Sequence, residues 1–147
     1  MDQFDFEKAF TVFSEGEKYG DSKCIYGKIA VTAKIGKDFS YLIPKFEIAI
    51  KTIHQEAESG DADAAFIIGR CYEIGLIFEQ NLDLAIDYYN ISARGGDTDA
   101  MFNTGCILML QGDCDNAVAK YFIPAAKLGN ESAINAVEHY KAHKKIL

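Results

Sequence analysis

Along most of the chain, apolar residues return every three or four positions, and glycines break the pattern into short blocks. Ala64, Ile68, Cys71 and Tyr72 fall on one side of a helix, at i, i+4, i+7 and i+8. A short loop, LIFEQ, follows, and Ala85, Tyr88, Tyr89 and Ser92 then make a second stripe of the same period. Asn81 stands where it can cap this second helix, and Gly95 and Gly96 stand where a helix ends. Extended along the chain, the pattern predicts eight helices, near residues 4–17, 21–35, 40–58, 61–74, 81–94, 97–110, 114–128 and 130–145. No alternating, strand-like stretch competes with them.

The stretch GDTDA at 96–100 raises the first chemical question, because an Asp-x-Asp pair can open a calcium loop or start a helix. A calcium loop of the EF-hand kind needs oxygen ligands at every second position and a closing Glu. After Asp97 and Asp99 the next alternate residues are Met101, Asn103 and Gly105; after Asp61 and Asp63 they are Ala65, Ile67 and Gly69. The ligands stop at two and an apolar pattern begins, so both words read as helix starts.

The words also recur. Gly20, Gly60, Gly96 and Gly129 are each followed four residues later by a small residue, Cys24, Ala64, Ala100 and Ala133. A period of this size marks stacked supersecondary units. The spacing shrinks from one unit to the next. Ile35 to Ala49, Gly75 to Ala85 and Gln111 to Val118 are equivalent intervals, and they shrink by the same steps. The variation therefore sits in the loop inside each unit, while the helices keep register as a stacked core requires. GDCDNA at 112–117 then starts a second helix rather than a first.

Ala65, Ile68, Gly69, Tyr72 and Gly75, followed by Ala85, Tyr88, Tyr89, Ser92, Ala93, Gly96 and Ala100, resemble the Sel1-like repeat family. The next copy keeps Gly105, Tyr121, Phe122, Ala125, Ala126, Gly129 and Ala133, with Leu108 and Val118 as departures. The preceding copy keeps Ala49, Ala57, Gly60 and Ala64, but Ile29 and Thr32 replace its Gly and Tyr; Ala9 and Phe13 fit a degenerate helix before that. The resemblance implies an all-α, right-handed α/α solenoid of three to four helix pairs. It would form a single domain over 1–147, with a degenerate repeat at 1–58, the best repeats at 59–129 and a capping helix at 130–147. It also implies a protein-binding, non-enzymatic role, with Tyr88 and Tyr89 in the core.

Composition narrows the function. The 147 residues carry a net charge of -7, which disfavours a nucleic-acid backbone as partner. No run reaches the roughly 18 apolar residues of a membrane span, and the acidic start, MDQFDFEKAF, does not read as a secretory signal. The expected location is cytoplasmic. Cys24, Cys71, Cys106 and Cys114 have no paired spacing, so they read as buried free thiols. His139 and His143 sit one helical turn apart without the Glu of H-E-x-x-H or a third ligand, and read as a solvated face. His54 stands alone, exposed or capping. No nucleophile or phosphate motif is present, so neither a catalytic residue nor a cofactor or metal is expected.

What remains is a surface. Opposite the buried side of the 61–74 helix lie Asp63, Phe66, Arg70 and Glu73, and one unit later Asp99, Phe102, Cys106 and Met109. One unit earlier the slots are Lys23, Tyr26, Ala30 and Ala33. In similar helix-pair solenoids this side lines a concave groove. Tyr26, Phe66 and Phe102 then form one aromatic column, which either binds a partner or packs into adjoining helices. Residues 61–116 hold ten acids against Arg70 and Arg94 alone. A basic protein partner is expected here, with a bacterial immunity protein neutralising a toxin as the sharpest version and a peptide- or helix-recognising adaptor as the alternative. The protein itself is expected to be a monomer or a weak homo-oligomer.

Overall fold

A computed structural model describes residues 3–146 and contains helices, turns and loops, with no strand among them. Met1, Asp2 and Leu147 lie outside the described residues, as do the side chains of Lys144 and Lys145 expected to suit the last helix dipole. The helices are α1 (Gln3–Lys18), α2 (Lys23–Lys34), α3 (Ile43–Glu58), α4 (Ala62–Ile74), α5 (Leu82–Arg94), α6 (Thr98–Leu110), α7 (114–127) and α8 (Glu131–Ile146). Most boundaries fall within about two residues of those predicted. The chief difference is a single 3-10 turn, Ser40–Leu42, ahead of α3, with Pro44 in the first turn of the α-helix proper.

The repeated Gly-Asp words are helix junctions. Asp61 accepts a hydrogen bond from the Ala64 amide at 2.8 Å, and Asp97 accepts from Asp99 and Ala100 at 2.9 and 3.1 Å. Asn81 and Asn130 cap α5 and α8 in the same way, through the Leu84 and Ala133 amides. At each unit boundary the residue after the glycine sends its N–H back five positions: Asp61 to Glu56 at 3.0 Å, Asp97 to Ser92 at 3.4 Å and Asn130 to Ala125 at 3.0 Å. Gly60 and Gly96 make this possible at φ 98° and 94°, a left-handed conformation that side chains with a Cβ resist. The acids inside the loops behave differently. Asp113 makes no cap to the backbone and instead accepts from the Asn116 side-chain amide at 2.8 Å.

Within each well-formed unit the two helices close on a glycine. A Cβ placed on Gly69 would lie 2.7 Å from the Tyr89 ring, and one on Gly105 would lie 2.4 Å from Phe122. Tyr89 is fully buried and Phe122 nearly so. In the degenerate unit the corresponding slots hold Ile29 and Ile53, both buried in one cluster with Phe46, Ile50 and Ile68. Two medium side chains there replace a ring over a bare backbone, and the first unit keeps a filled core without the family residues. In α8 the glycine slot is taken by Glu138, which is exposed. That face of α8 is polar, as a capping helix requires.

α7 is irregular. It begins with one α-turn, Cys114–Asn116, widens into a π-helical stretch, Ala117–Phe122, and returns to α geometry at Ile123–Lys127. Pro124 accounts for this: it has no N–H to give Lys120, and its ring crowds that carbonyl. The backbone answers with a wider turn, in which Ile123 donates to Val118 five residues back.

Gly69→Val should destabilise the fold by roughly 1–3 kcal/mol, because the added methyls meet a ring that has nowhere to go. Thermal unfolding followed by circular dichroism measures this, and an unchanged melting temperature would refute the close approach. Asp61→Ala should cost about 1 kcal/mol through loss of the cap. The Ala64 N–H, and after it Lys23, hold the Asp61 carboxyl below its ordinary range. A lowered folded-state value stabilises above the ordinary Asp range and is lost as pH falls through it. The difference between Asp61→Ala and wild type should therefore narrow as pH falls from the ordinary Asp range through the lowered Asp61 value.

Candidate binding surface

The three aromatic residues expected in one column do share a register, but their rings are half-buried. Each leans on a ring of a second helix: Tyr26 on Phe46 at 5.9 Å between centroids, Phe66 on Tyr89 at 5.7 Å, and Phe102 on Phe122 at 5.4 Å. Much of their surface is therefore spent inside the protein. Truncating Phe66 and Phe102 together would disturb the core as well as any partner contact.

Arg70 and Glu73, expected to face a partner, pair with each other at 2.7 Å across one helical turn. The Tyr89 hydroxyl donates to the same Glu73 oxygen, and the Tyr26 hydroxyl meets the Arg70 guanidinium. Burial works against the Arg70 charge, yet Tyr26 and Glu73 hold the guanidinium more firmly protonated than usual. Burial and Glu73 together push the Tyr89 phenol upward. The four side chains fasten α2, α4 and α5 across the middle of the surface. Asp63 and Asp99 are exposed at its edge, although Asp99 accepts from the Asn130 side chain at 2.8 Å and thereby ties α6 to α8.

This network separates two depressions. The one toward the N-terminus, about 420 Å³, gathers Tyr26, Asp63 and Phe66 with Phe13, Lys23 and Asp97. The larger, about 880 Å³, opens between α6 and α8. Phe102, Cys106, Met109 and Leu110 form one wall and Ala136, His139, Tyr140 and His143 the other, while Val118 and Phe122 of the π-helical stretch form the floor. Met109 is 41% exposed and Leu110 83%, so apolar surface stands open to solvent at its mouth. Ala136 leaves the space that a larger residue opposite Phe102 would fill. Sequence reasoning found Phe102 and Met109 but placed His139 and His143 on a solvated face. Both imidazoles are exposed, stacked at 5.7 Å, and belong to the groove wall. The signal available was their i, i+4 spacing on the same side of the helix as Ala136.

Two other expectations change. His54 is not solitary: its Nε2 lies 2.9 Å from the Tyr88 hydroxyl and its Nδ1 3.5 Å from Glu58. It joins Tyr72, Phe78 and Tyr88 in an aromatic cluster linking α3 to α5. Burial raises the Tyr88 phenol, which opposes an activated phenolate, and neither depression reaches this cluster. Of the four cysteines, which are all free thiols, only Cys71 is buried; Cys24, Cys106 and Cys114 are partly open because they lie on depression walls. Among the described residues, no group of three or more His, Cys, Asp or Glu could hold a metal ion. No described helix is long and apolar enough to cross a membrane.

Stacked helix pairs with a hollow on the side of their first helices define an α-solenoid, a class that binds through extended surfaces of this kind. More particularly, the chain has the Sel1-like repeat fold: it is similar to the crystal structure of a Sel1 repeat protein from Oxalobacter formigenes, with a TM-score of 0.54 and 25% sequence identity. The match covers 84% of this chain and 50% of that one, so the similarity spans half the length of the solved protein. No family model matches the chain, and no curated protein matches its sequence.

Burial pushes the Cys71 thiol up to about 12. In native protein it should resist alkylation that consumes the other three thiols, and should react only on denaturation. Mass spectrometry of iodoacetamide-treated protein reads this directly. Early labelling of Cys71 would contradict its burial.

Proposed function

We propose that the protein is a non-enzymatic protein-interaction module that holds a basic partner on the side of its first helices. One observation carries this reading: a deep apolar groove, with Met109 and Leu110 open to solvent, in a chain whose net charge is -7. Exposed apolar surface of this kind, rimmed by polar groups, marks an interaction site. Asp63 and Asp99 at the edge favour a cationic partner, and the shortage of basic residues over 61–116 extends that field. The groove is the size of a chain segment, which supports an adaptor that recognises a helix or peptide. The toxin-neutralising version draws on acidity alone, and no feature of the groove adds to it. Cytoplasmic residence is part of the same reading.

Cross-linking of the native complex with its co-purified partner should place contacts on α6, α8 and the Asp63–Asp99 edge. Contacts confined to α3 and α5 would overturn the proposal. Asp63→Asn with Asp99→Asn should slow association several-fold at low salt and very little at high salt, because exposed charges steer encounter and are screened. Stopped-flow measurement across ionic strength checks it. The Asn at 99 keeps an acceptor for Asn130, so the fold should be spared.

A further inference from the structure

Resting on that reading, we infer that the occupant of the groove between α6 and α8 is one amphipathic helix of the partner, about two turns long, with basic residues flanking its apolar stripe. The walls themselves point to a helix. The two walls, α6 and α8, are continuous helices whose backbone N–H and C=O groups are spent inside their own turns, so the walls present no main-chain edge to pair with. Among its side chains, Tyr140 already donates to Asp115, and most of the remainder are apolar. An extended segment laid here would turn amides and carbonyls toward walls that offer them no main-chain partner, at a penalty per group that offsets much of what its side chains gain. A helix brings its own hydrogen bonds and offers only side chains to the walls.

Dimensions set the length. Phe102 to Leu110 rises about 12 Å along α6, the height of two turns of a facing helix. Such a segment presents two or three anchors at i, i+4 and i+7. Charge sets the side on which the basic residues fall. Asp99 stands at the N-terminal end of the α6 wall, in a stretch, 61–116, with eight more acids than bases. The α8 wall instead carries His139, His143 and, next to them, Lys141, so the basic residues of the segment face α6.

The thiols provide a built-in reporter. Cys106 and Cys114 line this groove, while Cys24 lines the other depression and serves as an internal control. The probe is a synthetic helical peptide of Leu, Lys and Ala with Leu at i, i+4 and i+7, set against a permuted peptide of the same composition. The amphipathic peptide should slow N-ethylmaleimide alkylation of Cys106 and Cys114 about tenfold and leave Cys24 unchanged, and the permuted one should do neither. Leu110→Ser, at an exposed position that does not disturb folding, should weaken the amphipathic peptide about tenfold; Ala136→Trp should fill the groove and abolish protection.

Equal protection by both peptides would mean charge alone is recognised, and would overturn the inference. So would protection by dodecanoate but not by peptide, which would make this a small-ligand site. Protection that appears in the protein alone with rising concentration, together with dimers in sedimentation, would assign the groove to a second copy and also overturn it. If the peptide fails while native-partner cross-links still fall on α6, α8 and the acidic edge, the helix is wrong and the interaction module stands. If those cross-links are absent too, both fall.

Discussion

The close approach of paired helices over a bare backbone is the constraint that organises this protein. Gly69 and Gly105 let the rings of Tyr89 and Phe122 lie directly on the facing helix, closer than any Cβ would permit. A ring in that place is large enough to reach further. Tyr89 extends its hydroxyl to Glu73, which holds Arg70, which meets Tyr26 of the preceding unit. On its other side the same ring supports Phe66. One packing contact thus sets the spacing of the pair, the coupling between units and the posture of the surface residues. The degenerate first unit shows how the constraint can be met otherwise, since Ile29 and Ile53 share the volume that glycine and tyrosine divide unequally.

The larger groove follows from two departures from regularity. Pro124 forces α7 into a π-helical stretch, and Val118 and Phe122 from that stretch make the floor. α8 presents Ala136 and two histidines where its neighbour α6 presents Phe102, Cys106 and Leu110, so the two walls face each other without filling the gap. Between the more regular units, Arg70 and Glu73, joined to the Tyr26 and Tyr89 hydroxyls, occupy the middle of the surface. The larger of the two depressions therefore lies toward the C-terminal end of the described residues, away from the middle of the surface where Arg70 and Glu73 are committed to each other.

The fold was legible in local chemistry. Helical period, cap residues and left-handed glycines are properties of short segments, and Asp61, Asn81 and Asp97 announced their helices within three or four residues. Repetition supplied the rest, because units that recur with loop-confined length changes must stack in register. Even the column of Tyr26, Phe66 and Phe102 was visible as a slot recurring from unit to unit.

What a recurring slot does was decided only by the packed structure. Whether an aromatic ring stands free or leans inward depends on the residue of another helix, such as Phe46, that happens to face it. His54 became a partner of Tyr88 through a contact 34 residues away, and no local spacing foretells that. His139 and His143 belong to a groove because α8 packs on α7 and faces α6 across a gap, its start tied to α6 by Asn130 reaching Asp99. Sequence determined the helices and their order, since those depend on hydrogen bonds and periodicity within a few turns. Tertiary structure decided which side chains remained open, since exposure is a property of neighbours brought together from distant parts of the chain.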